Sequence, residues 1–98
     1  MRVRFTDEAR ARLRAIHAQI AGDAPGAAKA MIDRITRRAQ AIGSLPRAGR
    51  KVPEFQLDTL REVLERPYRI IYRIQPDEIE IATVMHYRQL LPEDLVKP

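Results

Sequence analysis

Polar and apolar residues alternate over Arg2-Val3-Arg4-Phe5, which predicts a short strand. Thr6 follows as an N-cap, with Asp7 and Glu8 where a helix's first turn favours acids, so a helix is expected from about Asp7. Ala9, Leu13, Ile16 and Ile20 recur at helical spacing and line its buried stripe, while Arg10, Arg12 and Arg14 lie off it. Gly22-Asp23-Ala24-Pro25 ends this helix and places proline at the first position of a second one. Its stripe is Ala28, Met31, Ile35, Ala39 and Ile42, with Gly43 expected as the C-cap. So short a connection makes the pair an antiparallel hairpin that leaves Arg34, Arg37 and Arg38 near solvent.

Ser44 to Glu54 carries Pro46, Gly49 and Pro53 and reads as an irregular loop bearing Arg47, Arg50 and Lys51. Leu60 to Glu65, Tyr68 to Ile74 and Glu78 to Met85 then read as three strands of a meander, the last two joined by the turn Gln75-Pro76-Asp77-Glu78. Pro92-Glu93-Asp94-Leu95 is expected to close the chain with one helical turn. The order β-α-α-β-β-β defines an α+β fold: an N-terminal strand and helical hairpin packed on a small antiparallel sheet. Length predicts a single domain over residues 1–98.

With Gln75 facing Glu78, regular antiparallel pairing sets Arg73 opposite Glu80, Tyr72 opposite Ile81, Ile71 opposite Ala82, Arg69 opposite Val84 and Tyr68 opposite Met85. Tyr68, Ile70, Tyr72, Ile74, Ile79, Ile81 and Met85 then face the helices, which leaves Arg69, Arg73 and His86 on the other face. Turning Leu60 and Leu64 to the core adds Arg61, Val63 and Glu65 to that arginine face.

Charge sharpens the picture. The net charge of +5 predicts an anionic partner, either nucleic acid or an acidic protein surface. Fifteen arginines accompany three lysines, a choice that suits planar recognition of phosphate or carboxylate, although a GC-rich genome produces the same bias. Cysteine is absent, and His17 and His86 are too far apart in sequence to share a metal by spacing, so neither metal nor cofactor is expected. His17 reads as a boundary residue of the first helix. No apolar run approaches a membrane span and no secretory h-region is present, so the expected compartment is the cytoplasm with no membrane partner.

On residue types, an arginine face with His86 as a proton carrier, and Glu54 as a second candidate base, contains the parts of a metal-free ribonuclease. The plainer reading pairs Arg73 with Glu80 and Arg69 with Glu65 as surface ion pairs. Tyr68 and Tyr72 are expected to point into the core, which removes them as a base-stacking platform.

Several segments together resemble the RelE/ParE superfamily of type II toxin-antitoxin toxins. They are Val3-Arg4-Phe5-Thr6, Pro46-Arg47-Ala48-Gly49-Arg50, Leu60-Arg61-Glu62, Pro67-Tyr68-Arg69-Ile70-Ile71-Tyr72-Arg73-Ile74 and Val84-Met85-His86-Tyr87-Arg88. The chain looks most like the ParE branch. That resemblance implies a growth inhibitor of the plasmid-stabilising kind, neutralised by a ParD-like antitoxin, that poisons DNA gyrase by binding and has no catalytic residues of its own. Arg61, Arg69, Arg73 and Arg88 are then the expected binding residues. The RelE branch, with YoeB-like members, implies instead cleavage of ribosome-bound mRNA, in which Glu54, Arg69, His86 and Tyr87 match the catalytic set.

Overall fold

A computed structural model describes residues 1–96. Strand β1 (Arg2–Phe5) leads into helices α1 (Asp7–Ala21) and α2 (Pro25–Ala41), then β2 (Arg50–Lys51), β3 (Leu60–Glu65), β4 (Tyr68–Ile74) and β5 (Glu78–His86). Short 3-10 turns span Ile42–Ser44 and Glu93–Val96, the second where a last helical turn is expected. The sheet order is β1-β5-β4-β3-β2. The meander of β3, β4 and β5 is antiparallel, as expected, but β1 runs parallel to β5, so the sheet is mixed.

Thr6 ties the first strand to the sheet and starts α1. Its hydroxyl accepts from the Ala9 amide at 3.0 Å and donates toward the carbonyls of Ile81 and Ala82 at 3.0 and 2.9 Å. The helices bury Ala9, Ile16, Ile35, Ala39 and Ile42 against Val63, Tyr68, Ile70, Tyr72, Ile79, Ile81 and Val84. Two expectations about the loops change. α2 runs on into the 3-10 turn with Ile42 as its cap, and Gly43 sits where a Cβ would collide with the Met1 carbonyl, so glycine there serves close approach. The loop after Ser44 is also not wholly irregular, because Arg50 and Lys51 pair with Glu62 and Arg61 as an edge strand.

The register departs from regular pairing at one point. Tyr72 faces Ile81 and Arg73 faces Glu80, as the turn dictates, but Ile71 faces Thr83, which leaves Ala82 as an extra residue in β5. This bulge shifts everything beyond it by one position and exchanges faces. Val84 therefore packs under the helices, and Met85 goes to the opposite face. Arg69 pairs with Met85, and Tyr68 with His86. In β3 the expected facing is reversed: Val63 lies in the helix-side core, while Leu60 packs on the second face.

That second face is itself covered. Val52, Leu60, Ile71, Ala82, Met85 and Leu95 form a second apolar cluster, with Phe55 and Leu91 against it. The loop after β2 and the C-terminal segment thus lie where an open arginine face was expected.

Candidate functional site

Arg69 is the centre of a cleft beside β3 and β4. Its position in β4 turns it to the second face beside Leu64 of β3, and the chain surrounds it with carboxylates. Nε donates to Glu62 Oε1 at 2.7 Å, and Nη2 lies 2.5 Å from the same oxygen. Nη1 and Nη2 donate to the two oxygens of Glu54 at 3.0 Å each. Arg50 grips the other Glu62 oxygen at 2.6 Å. The chain Arg50–Glu62–Arg69–Glu54 therefore ties β2, the loop that follows it, β3 and β4 together. All three nitrogens of the Arg69 guanidinium hold a carboxylate oxygen.

Burial is unequal along this chain: the Glu62 side chain is fully covered and that of Arg69 is 8% exposed, but that of Glu54 is 46% exposed. Burial disfavours the Arg69 charge, yet the Glu54 and Glu62 hydrogen bonds outweigh it and hold its pKa above the ordinary value. The hydrogen bonds from Arg69 likewise hold the Glu54 carboxyl below the usual glutamate range. Arg2 and Arg4 do the same for Glu78, and Arg47 for Asp58.

These depressed values carry a pH dependence. A carboxylate whose folded pKa lies below its unfolded one stabilises the fold above the ordinary value of about 4.3 for Glu, and that contribution is lost as pH falls through the folded value. Urea midpoints should therefore hold from neutral pH down to that range and then drop. Glu54→Gln should flatten the drop, and an equally steep acid limb in that variant would rule Glu54 out as a contributor.

The cleft has a volume of about 610 Å³ and is lined by Arg50, Pro53, Glu54, Leu64, Arg66, Pro67, Tyr68, Arg69 and Tyr87. Three of the four residues matched to a nuclease set, Glu54, Arg69 and Tyr87, share it. His86 does not line it. The bulge carries His86 to the helix side, edge-on to Tyr68 with ring centroids 5.9 Å apart, and its Nδ1 accepts from the Arg88 amide at 3.1 Å. The other expected binding arginines scatter. Arg61 pairs across from Tyr72 and donates to Gly49 O, Asp58 O and Asp58 Oδ1 at 2.9 Å each, so it braces a loop and is not on the arginine face. Arg73 reaches Glu80 at 2.8 Å, the pairing expected from the sequence, and also the Leu95 carbonyl at 2.6 Å. Arg69 bonds Glu54 and Glu62, not Glu65. Arg88 is exposed, with its guanidinium 5.4 Å from the Tyr87 ring centre. Tyr68 and Tyr72 are buried, as expected.

Sequence reasoning missed Glu62, Leu64 and Arg66. A signal for the first was present: Leu60, Glu62 and Leu64 share one side of a strand by its period of two, and a charge between two apolar neighbours on a covered face needs a partner.

This α+β arrangement is shared by solved toxin-antitoxin structures. A chain of the chromosomal ParDE system from P. aeruginosa is similar with a TM-score of 0.75 at 24% identity, over 88% of this chain and 95% of that one. A chain of the toxin-antitoxin complex RelBE2 from Mycobacterium tuberculosis is similar with a TM-score of 0.62, also at 24% identity, over 87% and 95%. These likenesses establish the fold. Residues 3–91 match the family of the ParE toxin of the type II toxin-antitoxin system parDE, and the chain belongs to that family. No curated protein matches it significantly. No helix among the described residues is long and apolar enough to cross a membrane.

Proposed function

We propose that this chain is a cytoplasmic toxin that binds and poisons DNA gyrase and is held inactive by a ParD-like antitoxin. The observation that carries the binding mode is the state of Arg69. Its guanidinium is spent on Glu54 and Glu62, so the cleft directs no free cation from this residue at a scissile phosphate. Glu54, held ionised by the same pair, is a weak base, and His86 stands outside the cleft. A protein that acts by binding needs none of these groups as acid, base or stabiliser of a transition-state charge. Gyrase is the target that the resemblance to the ParE branch favours. An antitoxin is supported by the pairings named for the two similar structures and by the net charge of +5, which favours an acidic partner. Among the four expected binding arginines, Arg88 is exposed and needs no rearrangement to contact a partner, Arg69 is held by Glu54 and Glu62, and Arg61 and Arg73 brace a loop and the C-terminal turn.

Purified protein added to gyrase, ATP and supercoiled plasmid should accumulate linear DNA after denaturation. Its absence with active gyrase would reject the target. A second reading, ribosome-dependent mRNA cleavage, draws on the meeting of Glu54, Arg69 and Tyr87 in one cleft. His86→Ala separates the two. A gyrase binder keeps its toxicity, whereas a nuclease using His86 as acid or base loses roughly 10²–10⁴-fold in cleavage rate. Growth arrest undiminished by His86→Ala is the expected result.

A further inference from the structure

Arg69 has one fixed partner and one removable one. Glu62 is locked inside the sheet, but Glu54 reaches in from a loop with its carboxylate close to half exposed, so it can return to water at small desolvation cost. Glu54 also meets the guanidinium with both oxygens, an arrangement that a free carboxylate from another molecule reproduces. It therefore acts as an internal stand-in for a ligand.

The walls say which kind of ligand. Leu64 and Tyr87 remain 37% and 51% exposed beside Pro53 and Pro67, so the cleft offers apolar contact next to its charge. At the rim, Arg66 makes no ion pair among the described residues and leaves the cleft with an uncompensated cation. A nucleobase finds no open platform here. The Tyr87 ring is already stacked on His86 with centroids 4.7 Å apart, and it carries the Arg88 guanidinium over it.

The geometry points to a docking cleft for an acidic protein segment, in which a partner's Asp or Glu carboxylate displaces Glu54 from Arg69 and a neighbouring apolar side chain lies against Leu64, Pro67 and Tyr87; this rests on the partner-binding role proposed above. Glu54 then competes with the partner, and the apparent affinity is lowered by the fraction of time Glu54 holds the fork.

A fluorescently labelled synthetic peptide of alternating Glu and Leu, titrated with the full chain and read by anisotropy, tests this. The wild-type chain should bind it, and Glu54→Gln should bind about fivefold tighter or more, because the competitor is gone. Glu54→Asp, too short to span the same gap, should also tighten binding, and it stands in for Glu54→Gln should that variant melt early. Arg66→Ala should weaken binding a few-fold, while Arg37→Ala with Arg38→Ala, on the helical hairpin, should leave it unchanged. Unchanged or weaker binding by both Glu54 variants would overturn the proposal. So would an equal loss from the hairpin variant, or a single-stranded RNA oligomer that gains more than the peptide from Glu54→Gln. Anisotropy reads neither gyrase nor toxicity. A failed gyrase assay with the expected peptide result discards the target and keeps the cleft, and the reverse discards the cleft alone.

Discussion

Glu62→Ala is expected to cost about 3–5 kcal/mol of folding stability, the usual consequence of removing one partner from a buried ion pair. The side chain is fully covered and bonds two arginines at once, Arg69 at 2.7 Å and Arg50 at 2.6 Å. Without it, Arg69 is left in the sheet with only the half-exposed Glu54 to offset its charge. Against a total of roughly 5–15 kcal/mol for a domain, the loss is large. Arg50→Ala should cost under about 1 kcal/mol, because Arg50 is 62% exposed and Glu62 keeps Arg69. Removing both buried charges, as Glu62→Leu with Arg69→Met, should cost much less than the sum of the single changes, since no unpaired charge stays inside. Urea unfolding of these three variants and of Glu62→Leu and Arg69→Met singly decides it. A loss under about 1 kcal/mol for Glu62→Ala would mean that water reaches Arg69 freely and that its pair with Glu62 is not closed to solvent.

The helices and the strands β1, β3, β4 and β5 were legible in the sequence because they rest on local signals: Thr6 before an acidic turn, Pro25 at a helix start, apolar stripes at helical spacing, and alternation in the strands. The β4–β5 turn was legible too, and pairing holds from it as far as Tyr72 and Ile81. The bulge was not. Ile81-Ala82-Thr83-Val84-Met85 has no strongly polar residue to mark a phase, so either face assignment satisfies it, and the Thr6 hydroxyl that holds the carbonyls of Ile81 and Ala82 at the bulge comes from the end of the neighbouring strand β1, a contact that no local pattern announces. One inserted residue then moved His86 away from Arg69, and with it the nuclease-like grouping on one face. The pairing of β3 failed for a related reason. Leu60 and Leu64 looked like core residues, which is true of Leu60, but its core is the second cluster, built by a loop and tail whose packing no periodicity announces. The expected arginine face assumed an uncovered sheet.

Gly49→Ala should destabilise the protein by about 2–4 kcal/mol, combining the cost of overpacking with that of disturbing buried hydrogen bonds. Gly49 has no positive φ, so its freedom to turn is not the reason for glycine here. The reason is space. A Cβ at this position would stand 2.6 Å from the Glu62 carbonyl and 2.6 Å from the Tyr72 hydroxyl, both held in place. The carbonyl belongs to β3, between the pairings with β2 and β4. The hydroxyl accepts from the Gly49 amide at 3.1 Å, donates to the Pro46 carbonyl at 2.6 Å, and ends a side chain with no exposed surface. Neither can retreat without breaking a bond that pins the Pro46–Gly49 loop to the sheet, and Arg50, which follows that loop in β2, is one of the two grips on Glu62. The variant should therefore loosen the cleft as well as the fold. For a chain of this size the melting temperature should fall by at least about 8 °C. Gly26→Ala is the matched control: nothing lies within 4 Å of its would-be Cβ inside α2, so the same added methyl should raise stability by up to about 1 kcal/mol. A Gly49→Ala protein that melts with the wild type would show that the loop can move off Tyr72 without cost, and that the aromatic is not what holds the Arg50 side of the cleft in place.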